Sequence, residues 1–372
     1  MSDNSCDYDI FYNGFTELSF FNLNKKAAEE IYKKFDEQFN VKKNINYDFK
    51  FIYFNDDSVN ASVDHDDNTD YVYVNVGTVG KIYATFYSLF TNSKVFPEIG
   101  DVKKEFATIN VDFKFDNEKK QLLFTGAPNC PVRRSVADFL SLVALRYVTT
   151  HELGHIFNGH AEYLNEKTGL FTLSMFNNNE ESKFDNLDYK TIEMDADAAA
   201  MTRSVDNILS VYEKFNSYYL SELFESKELL LKLWSFAIFS LFLVFEDEYS
   251  SENDWKCSKY LPNMVRCILN FDAALGYTKK FIEIAEYKYD DNFYENFNSI
   301  IFNSIRDVEK YYNESFNTHH NIIKYIDKNT EAIKYSQIVL NNWINVKPKL
   351  EKYTRTKLYD KNMKLSDFIK DK

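Results

Sequence analysis

Chain breakers are scarce in this sequence. Its 372 residues include 9 Gly and 5 Pro, so little interrupts helical periodicity and long helices are expected. Cysteine is sparse too. The 4 present, Cys6, Cys130, Cys257 and Cys267, show no C-x-x-C spacing. That excludes a zinc-knuckle set and a dense disulfide framework, and leaves reduced thiols in a cytoplasmic protein as the simplest expectation. Positive charge falls short: 44 Lys+Arg against 57 Asp+Glu give a net charge of −13. Nucleic acid and anionic membranes are therefore not expected as general partners. The opening residues, MSDNSCDYDIFYNG, hold no basic segment and no apolar run, so no secretory leader is expected. No internal repeat is visible.

Long apolar runs are also missing. In Glu228 to Asp247 (ELLLKLWSFAIFSLFLVFED) the uncharged part, Leu233 to Phe245, covers 13 residues. A membrane span needs about 20, and runs of about 10–14 more often form buried helices. A core helix behind the functional site is the expectation; a membrane-associated form using Leu229 to Phe245 is the alternative.

What is present is apolar and aromatic. Hydrophobic residues make up 45%, with 34 Phe and 27 Tyr, enough for a substantial core. Periodicity predicts a helix over Lys25 to Asn40, a strand over Asn46 to Asn55 and a strand over Tyr71 to Val76. A helix is expected over Lys81 to Thr91, and Ala107 to Phe115 with Gln121 to Thr125 reads as a hairpin. Asp56 to Asp70, with Asp64, His65, Asp66, Asp67 and Asp70, reads as an acidic surface loop. It lacks the Gly and the distal Glu of an EF-hand loop.

Histidine is rare, only 6 in the chain, yet two fall in His151-Glu152-Leu153-Gly154-His155. This is an H-E-x-x-H pattern. Arg134 to Thr150 before it has helical spacing of Val136, Phe139, Leu140, Val143 and Val148, with Pro131 suited to a first turn and Asn129 or Cys130 to a cap. On a helix, positions i and i+4 lie about 40° apart. Both imidazoles can then aim at one metal ion, while Glu152, about 100° further round, can reach a water on it.

Zinc needs a third protein ligand. His160 follows His155 by five positions, about 140° away on a continuous helix, so it reads as a support for a ligand or as structural, with direct ligation open. Glu193 is the stronger candidate. It lies in an Ala-rich helical stretch, TIEMDADAAAM, with Asp197 one turn on. Glu193 could bind the ion while Asp197 accepts the ring N–H of a ligand histidine. Asp195 is off that face and reads as solvated. Ala196, Ala198, Ala199 and Ala200 would let this helix approach the histidine helix closely. After it, Val205 to Leu223 is expected to be helical. Asn165 to Asp188 is polar and reads as a loop.

HELGHIFNGH followed by EMDADAAA resembles the gluzincin branch of the zincin metallopeptidases. It is most similar to the Lit-type phage-exclusion peptidases, with the ImmA/IrrE-type regulatory peptidases as second choice; the 38-position gap from His155 to Glu193 is long for the latter. The likeness covers roughly residues 130–270. It implies an α+β zincin-like fold: a small N-terminal mixed sheet, the H-E-x-x-H helix and a mainly helical C-terminal part. Residues 1–127 would form the sheet portion, 128–270 the catalytic helices, and 271–372 a helical portion suited to target recognition. It also implies an edge strand that pairs with an extended substrate, with YVYVNV and ATINVDF as candidates. Many such families carry H-P-x-x-x-R further on; here Pro262 and Arg266 match and Leu261 replaces the His. Tyr260 is then a candidate oxyanion donor and Arg266 an oxyanion or structural residue. The implied activity is that of a zinc-dependent endopeptidase cleaving an intracellular protein, in phage defence or toxin-like regulation. Zn²⁺ would be held by His151, His155 and Glu193, with Glu152 as general base. A protein-binding module on the same scaffold is the other reading. Lys347 to Lys372 is charged and expected to fray.

Overall fold

The computed structural model describes residues 20–116, 121–168, 172–174, 186–214, 226–245, 260–284, 291–321 and 331–358. It is an α+β protein, mostly helical. The amino-terminal half contributes α1 (Phe20–Phe39), β1 (Asp48–Phe54), β2 (Ala61–Asp66), β3 (Thr69–Asn75), α2 (Val76–Thr91), and the short strands β4 (Phe113–Asp116) and β5 (Gln121–Phe124). Then come α3 (Pro131–Phe157), α4 (His160–Thr168), β6 (Thr172–Ser174) and α5 (Asn186–Glu213). Four more helices follow: α6 (Lys227–Val244), α7 (Asn263–Ile284), α8 (Asp291–Phe316) and α9 (Glu331–Leu350).

The four-stranded sheet runs β1-β3-β2-β6, with β1 parallel to β3 and the other pairs antiparallel. This corrects two expectations. The acidic stretch Asp56 to Asp70 is not a loop: β2 runs through it, pairing Val63 with Val72. Ala61 and Val63 point into the core and are buried, and two inward apolar residues outweigh the acidic ones that face out. YVYVNV, in turn, cannot present an edge. It forms β3, which has β1 on one side and β2 on the other, so both its backbone edges are already paired. Of ATINVDF only Phe113 is in a strand, and that strand pairs with β5 in a separate two-stranded ribbon. Val76, expected to end the strand, instead opens α2.

The long helix α3 is the axis of the molecule. It packs on α1, α2, α5 and α6 and on the inner face of β2 and β3. Its start is anchored from a distance. Cys130 is the N-cap but makes no side-chain cap bond. Glu105 instead accepts from the backbone N–H groups of Asn129 and Cys130 at 3.0 and 2.9 Å, which puts a carboxylate where the helix end is partly positive. One turn in, fully buried Arg133 donates to the carbonyls of Phe90, Asn92, Val95, Phe96 and Ile99, so all of its donors are satisfied by the end of α2 and the loop after it.

Helix α6 is the apolar stretch noted above. Every residue from Leu233 to Val244 is buried, and α3, α7 and especially α8 cover it. Among the described residues no helix is long and apolar enough to cross a membrane. One buried apolar cluster extends from Phe21 to Leu358, so the N-terminal sheet, the central helices and the C-terminal helices share a core.

The segment after α9 departs from expectation. Residues 351–358 do not fray; they lie across the end of α3. Arg355 N–H donates to Phe157 O at 2.8 Å and Val41 N–H donates to Arg355 O at 2.7 Å. Gly159 (φ +79°) makes the contact feasible, because a Cβ there would stand 2.5 Å from the Thr354 nitrogen. Residues 359–372 lie outside the described residues, as do most of the polar stretch 165–188 and 215–223 of the predicted helix after Val205.

Candidate metal centre

The H-E-x-x-H residues lie in the last two turns of α3, where the 3.6-residue repeat stacks His151 above His155. Their Nε2 atoms face each other at 3.0 Å. Helix α5 crosses beside them. The crossing is close because Gly154 meets Ala196 and Ala199, where a Cβ would still have 3.4 Å of room. That approach carries Glu193 inward. Its Oε2 lies 3.4 Å from His151 Nε2 and its Oε1 lies 3.5 Å from His155 Nε2. Among the described residues these three form the one group arranged to hold a metal ion.

The spacing suits a small divalent cation. Four ligands about 2.0–2.1 Å from a tetrahedral ion are separated from each other by about 3.3–3.4 Å, and the observed sides are 3.0, 3.4 and 3.5 Å. The burial points the same way. Neither oxygen of Glu193 nor of Glu152 has a hydrogen-bond partner, although both side chains are buried. Leaving such groups unsatisfied costs about 1–3 kcal/mol each, and more when charged. Two imidazoles and a carboxylate suit Zn²⁺ and other first-row divalent ions alike.

Both histidines are held from behind. His151 Nδ1 lies 2.9 Å from Asp197 Oδ1, a close but bent contact. Asp197 is fixed by Arg266 on α7, which donates Nε–H and Nη2–H at 2.8 Å each. Tyr147 adds a long contact from its hydroxyl to Asp197 while donating to Asn270 at 2.7 Å. Burial alone would raise the Asp197 carboxyl; Arg266 and His151 hold it well below the usual carboxylate range. Arg266 thus reaches the cluster through Asp197, at whose carboxylate both of these donors end. His155 Nδ1 meets His160 Nδ1 at 3.0 Å, and His160 Nε2 lies 3.2 Å from Asp195 Oδ2. His160 therefore stands behind a candidate ligand rather than beside it. Asp195, expected to be solvated from its offset on the helix, is not. It is buried between His160 and Asn158, which donates Nδ2–H to it at 2.6 Å.

The charges are tuned by enclosure. Burial pushes the Glu152 carboxyl up to about 8, with His151 pulling back and Glu193 adding to the rise. Burial also lowers the imidazoles. It keeps His155 well below its ordinary value, helped by the neighbouring His151 and His160. His151 escapes, because its contacts with Asp197 and Glu193 outweigh burial and raise it to about 9. Tyr260 lies near this ensemble with its hydroxyl 3.4 Å from that of Tyr189, one turn before Glu193 on α5. Burial, Tyr189 and Glu193 all raise the Tyr260 phenol, so it stays a proton carrier.

Of the residues singled out in the sequence, His151, His155 and Glu193 converge on one point, Asp197 stands behind His151, and Glu152 is buried beside it on α3. Asn158 and Asp195 were missed. The helix-end position of Asn158 was the only available hint, and no periodicity marks the residue that Asp195 meets. The cluster is closed off: His151, Glu152 and His155 are each 0% exposed and Glu193 2%. A surface cavity of about 500 Å³ between α6 and α8, lined by Glu98, Glu228, Lys232 and Asn303, contains none of them. Comparison with family models, curated proteins and solved structures returns no match for this chain.

Proposed function

We propose that this protein is a zinc-dependent endopeptidase of gluzincin type that cleaves an intracellular protein. The carrying observation is the convergence of His151 Nε2, His155 Nε2 and Glu193 on one point, beside a Glu152 carboxylate with no other partner. His151, His155 and Glu193 would hold the ion. When bound, such an ion polarises a carbonyl and makes water more acidic.

The protein's own groups do the rest. Glu152, buried next to His151 with neither carboxylate oxygen paired, would take a proton from the attacking water and return it to the departing amine. Asp197 keeps the His151 proton on Nδ1 and so leaves Nε2 free as a donor of its lone pair. Arg266 keeps Asp197 ionised. Tyr260, still protonated, is a hydrogen-bond donor for negative charge developing on the scissile carbonyl. Phage exclusion, a cytoplasmic setting and a Lit-type substrate follow from the resemblance of the motifs.

The test pairs metal analysis with proteolysis. Purified protein should carry about one divalent ion per chain. His151→Ala and Glu193→Ala should lose it. Glu152→Gln should keep it and abolish the new protein termini that wild-type expression creates in cells. Full activity in Glu152→Gln would remove that residue from the chemistry.

One observation favours a second reading. Side chains that are 0–2% exposed also suit an ion that only ties α3 to α5 in a protein-binding module. In that case the ion would be present, its removal would lower stability, and no new termini would appear.

A further inference from the structure

We propose that His155 is set for metal binding by a hydrogen-bonded chain through His160, Asp195 and Asn158 that ends on Thr356 of the carboxyl-terminal segment. This rests on the reading of His151, His155 and Glu193 as ligands, and adds three positioning residues and a distant anchor to it.

The proton directions are forced once Nε2 of His155 offers a lone pair to an ion. A neutral imidazole bears one N–H, so the His155 proton must be on Nδ1. That nitrogen faces His160 Nδ1 at 3.0 Å, which must then accept. The proton of His160 is thereby placed on Nε2, the atom 3.2 Å from Asp195 Oδ2. Asp195 Oδ2 also receives Nδ2–H of Asn158 at 2.6 Å. The remaining amide oxygen of Asn158 accepts from the Thr356 hydroxyl at 3.0 Å, across 198 positions of sequence. Every donor meets an acceptor in this direction. The one bent link is His160 to Asp195, which is close without hydrogen-bond alignment. His151 has a carboxylate, Asp197, at its Nδ1; His155 has a second imidazole with a carboxylate behind it. The two ligands thus receive the same support through chains of different length.

The anchor is rigid. Arg355, beside Thr356, donates through Nη1 and Nη2 to Asp70, through Nη2 at 2.8 Å, and reaches Glu162 at 3.0 Å. Its guanidinium also lies over the Tyr47 ring, 3.5 Å from the centroid. Thr356 is therefore held to the sheet side of the molecule while its hydroxyl reaches the end of α3.

Supports of ligand imidazoles typically change metal affinity by about 10–100-fold. The experiment titrates Zn²⁺ into the metal-stripped full chain against a competing chromophoric chelator, for wild type and variants, with thermal melts of the stripped proteins. His160→Leu, which removes the acceptor, should weaken Zn²⁺ by about 10–100-fold. His160→Asn keeps an acceptor oxygen near the place of Nδ1 and should stay within about threefold of wild type. Asn158→Ala and Thr356→Val, at part-exposed positions, should weaken binding by lesser factors, in that order. If His160→Leu does not fold, Asn158→Ala decides. The relay is overturned if His160→Leu binds as wild type does. It is equally overturned if Asn and Leu at position 160 weaken binding alike, which is the signature of packing alone. Wild type that takes up no Zn²⁺ overturns the relay and the metal centre together.

Discussion

At the residue scale, burial decides the chemistry of several carboxyls that sequence alone would class as ordinary. Asp138, which lies away from the centre, is one. Burial raises Asp138 from its usual 3.8 to about 6, against the pull of the Tyr87 hydroxyl and Arg134. Tyr87 donates to it at 2.7 Å. The folded-state value is above the unfolded one, so the stability this group contributes is fully present below about pH 4. It is lost as pH rises through about 6. The cost of the charged form at pH 8 is at most about 3 kcal/mol, at about 1.4 kcal/mol per pH unit, and partial exposure reduces it. Asp138→Asn keeps the acceptor for Tyr87 and removes the charge. Urea melts should show it more stable than wild type at pH 8 by about 1–3 kcal/mol, and near parity at pH 4. A difference that does not change with pH would assign Asp138 no linked proton.

At the scale of elements, the decisive contact is α3 on α5. Helical repeat and small residues made both helices legible: H-E-x-x-H ends one and TIEMDADAAAM starts the other. Their crossing point was legible only as a tendency, through the alanines. Gly154 against Ala196 and Ala199 sets how far Glu193 reaches. Gly154→Ala meets only ordinary contacts and should be tolerated, with up to about 1 kcal/mol gained from helix propensity. Gly154→Leu should overpack the crossing, cost about 1–3 kcal/mol and push Glu193 away from the histidines. Metal content should then fall before the far-ultraviolet circular dichroism does. Strands were read less well than helices. β2 was hidden by its acids, since its buried residues, Ala61, Ser62 and Val63, are consecutive and give no alternation. β3 was seen as a strand but not as an interior one, because pairing partners are not encoded in a strand's own pattern.

At the scale of the whole molecule, the two ends of the described chain are clamped together. Asp70 on β3 is 0% exposed, as is Arg355, and Tyr32 and His65 complete the set around the carboxylate. Arg355→Met would strand that carboxylate without its cation, and breaking a buried pair costs about 3–5 kcal/mol. Denaturant melts should show a loss of that order. Adding Asp70→Leu to Arg355→Met should recover part of it, because two apolar partners can replace a buried pair. No recovery would mean that Tyr32 and His65, left without Asp70, matter as much as the arginine. The clamp also explains why residues 351–358 are ordered against a charged composition that suggested fraying. Composition counts the charges, whereas this segment is held through its backbone, Arg355 and the hydroxyls of Thr354 and Thr356.

What the amino-acid sequence determined by itself is local. The 3.6-residue repeat places His151 over His155 and Glu193 over Asp197, and an uncharged stretch too short to span a membrane becomes the buried helix α6. Only the tertiary structure decided which face of α5 meets α3, that Asp195 is buried against His160, and that Thr356 reaches Asn158. Those pairings join positions tens to hundreds of residues apart. They depend on helix crossing and chain return, which no periodicity within a single element can specify.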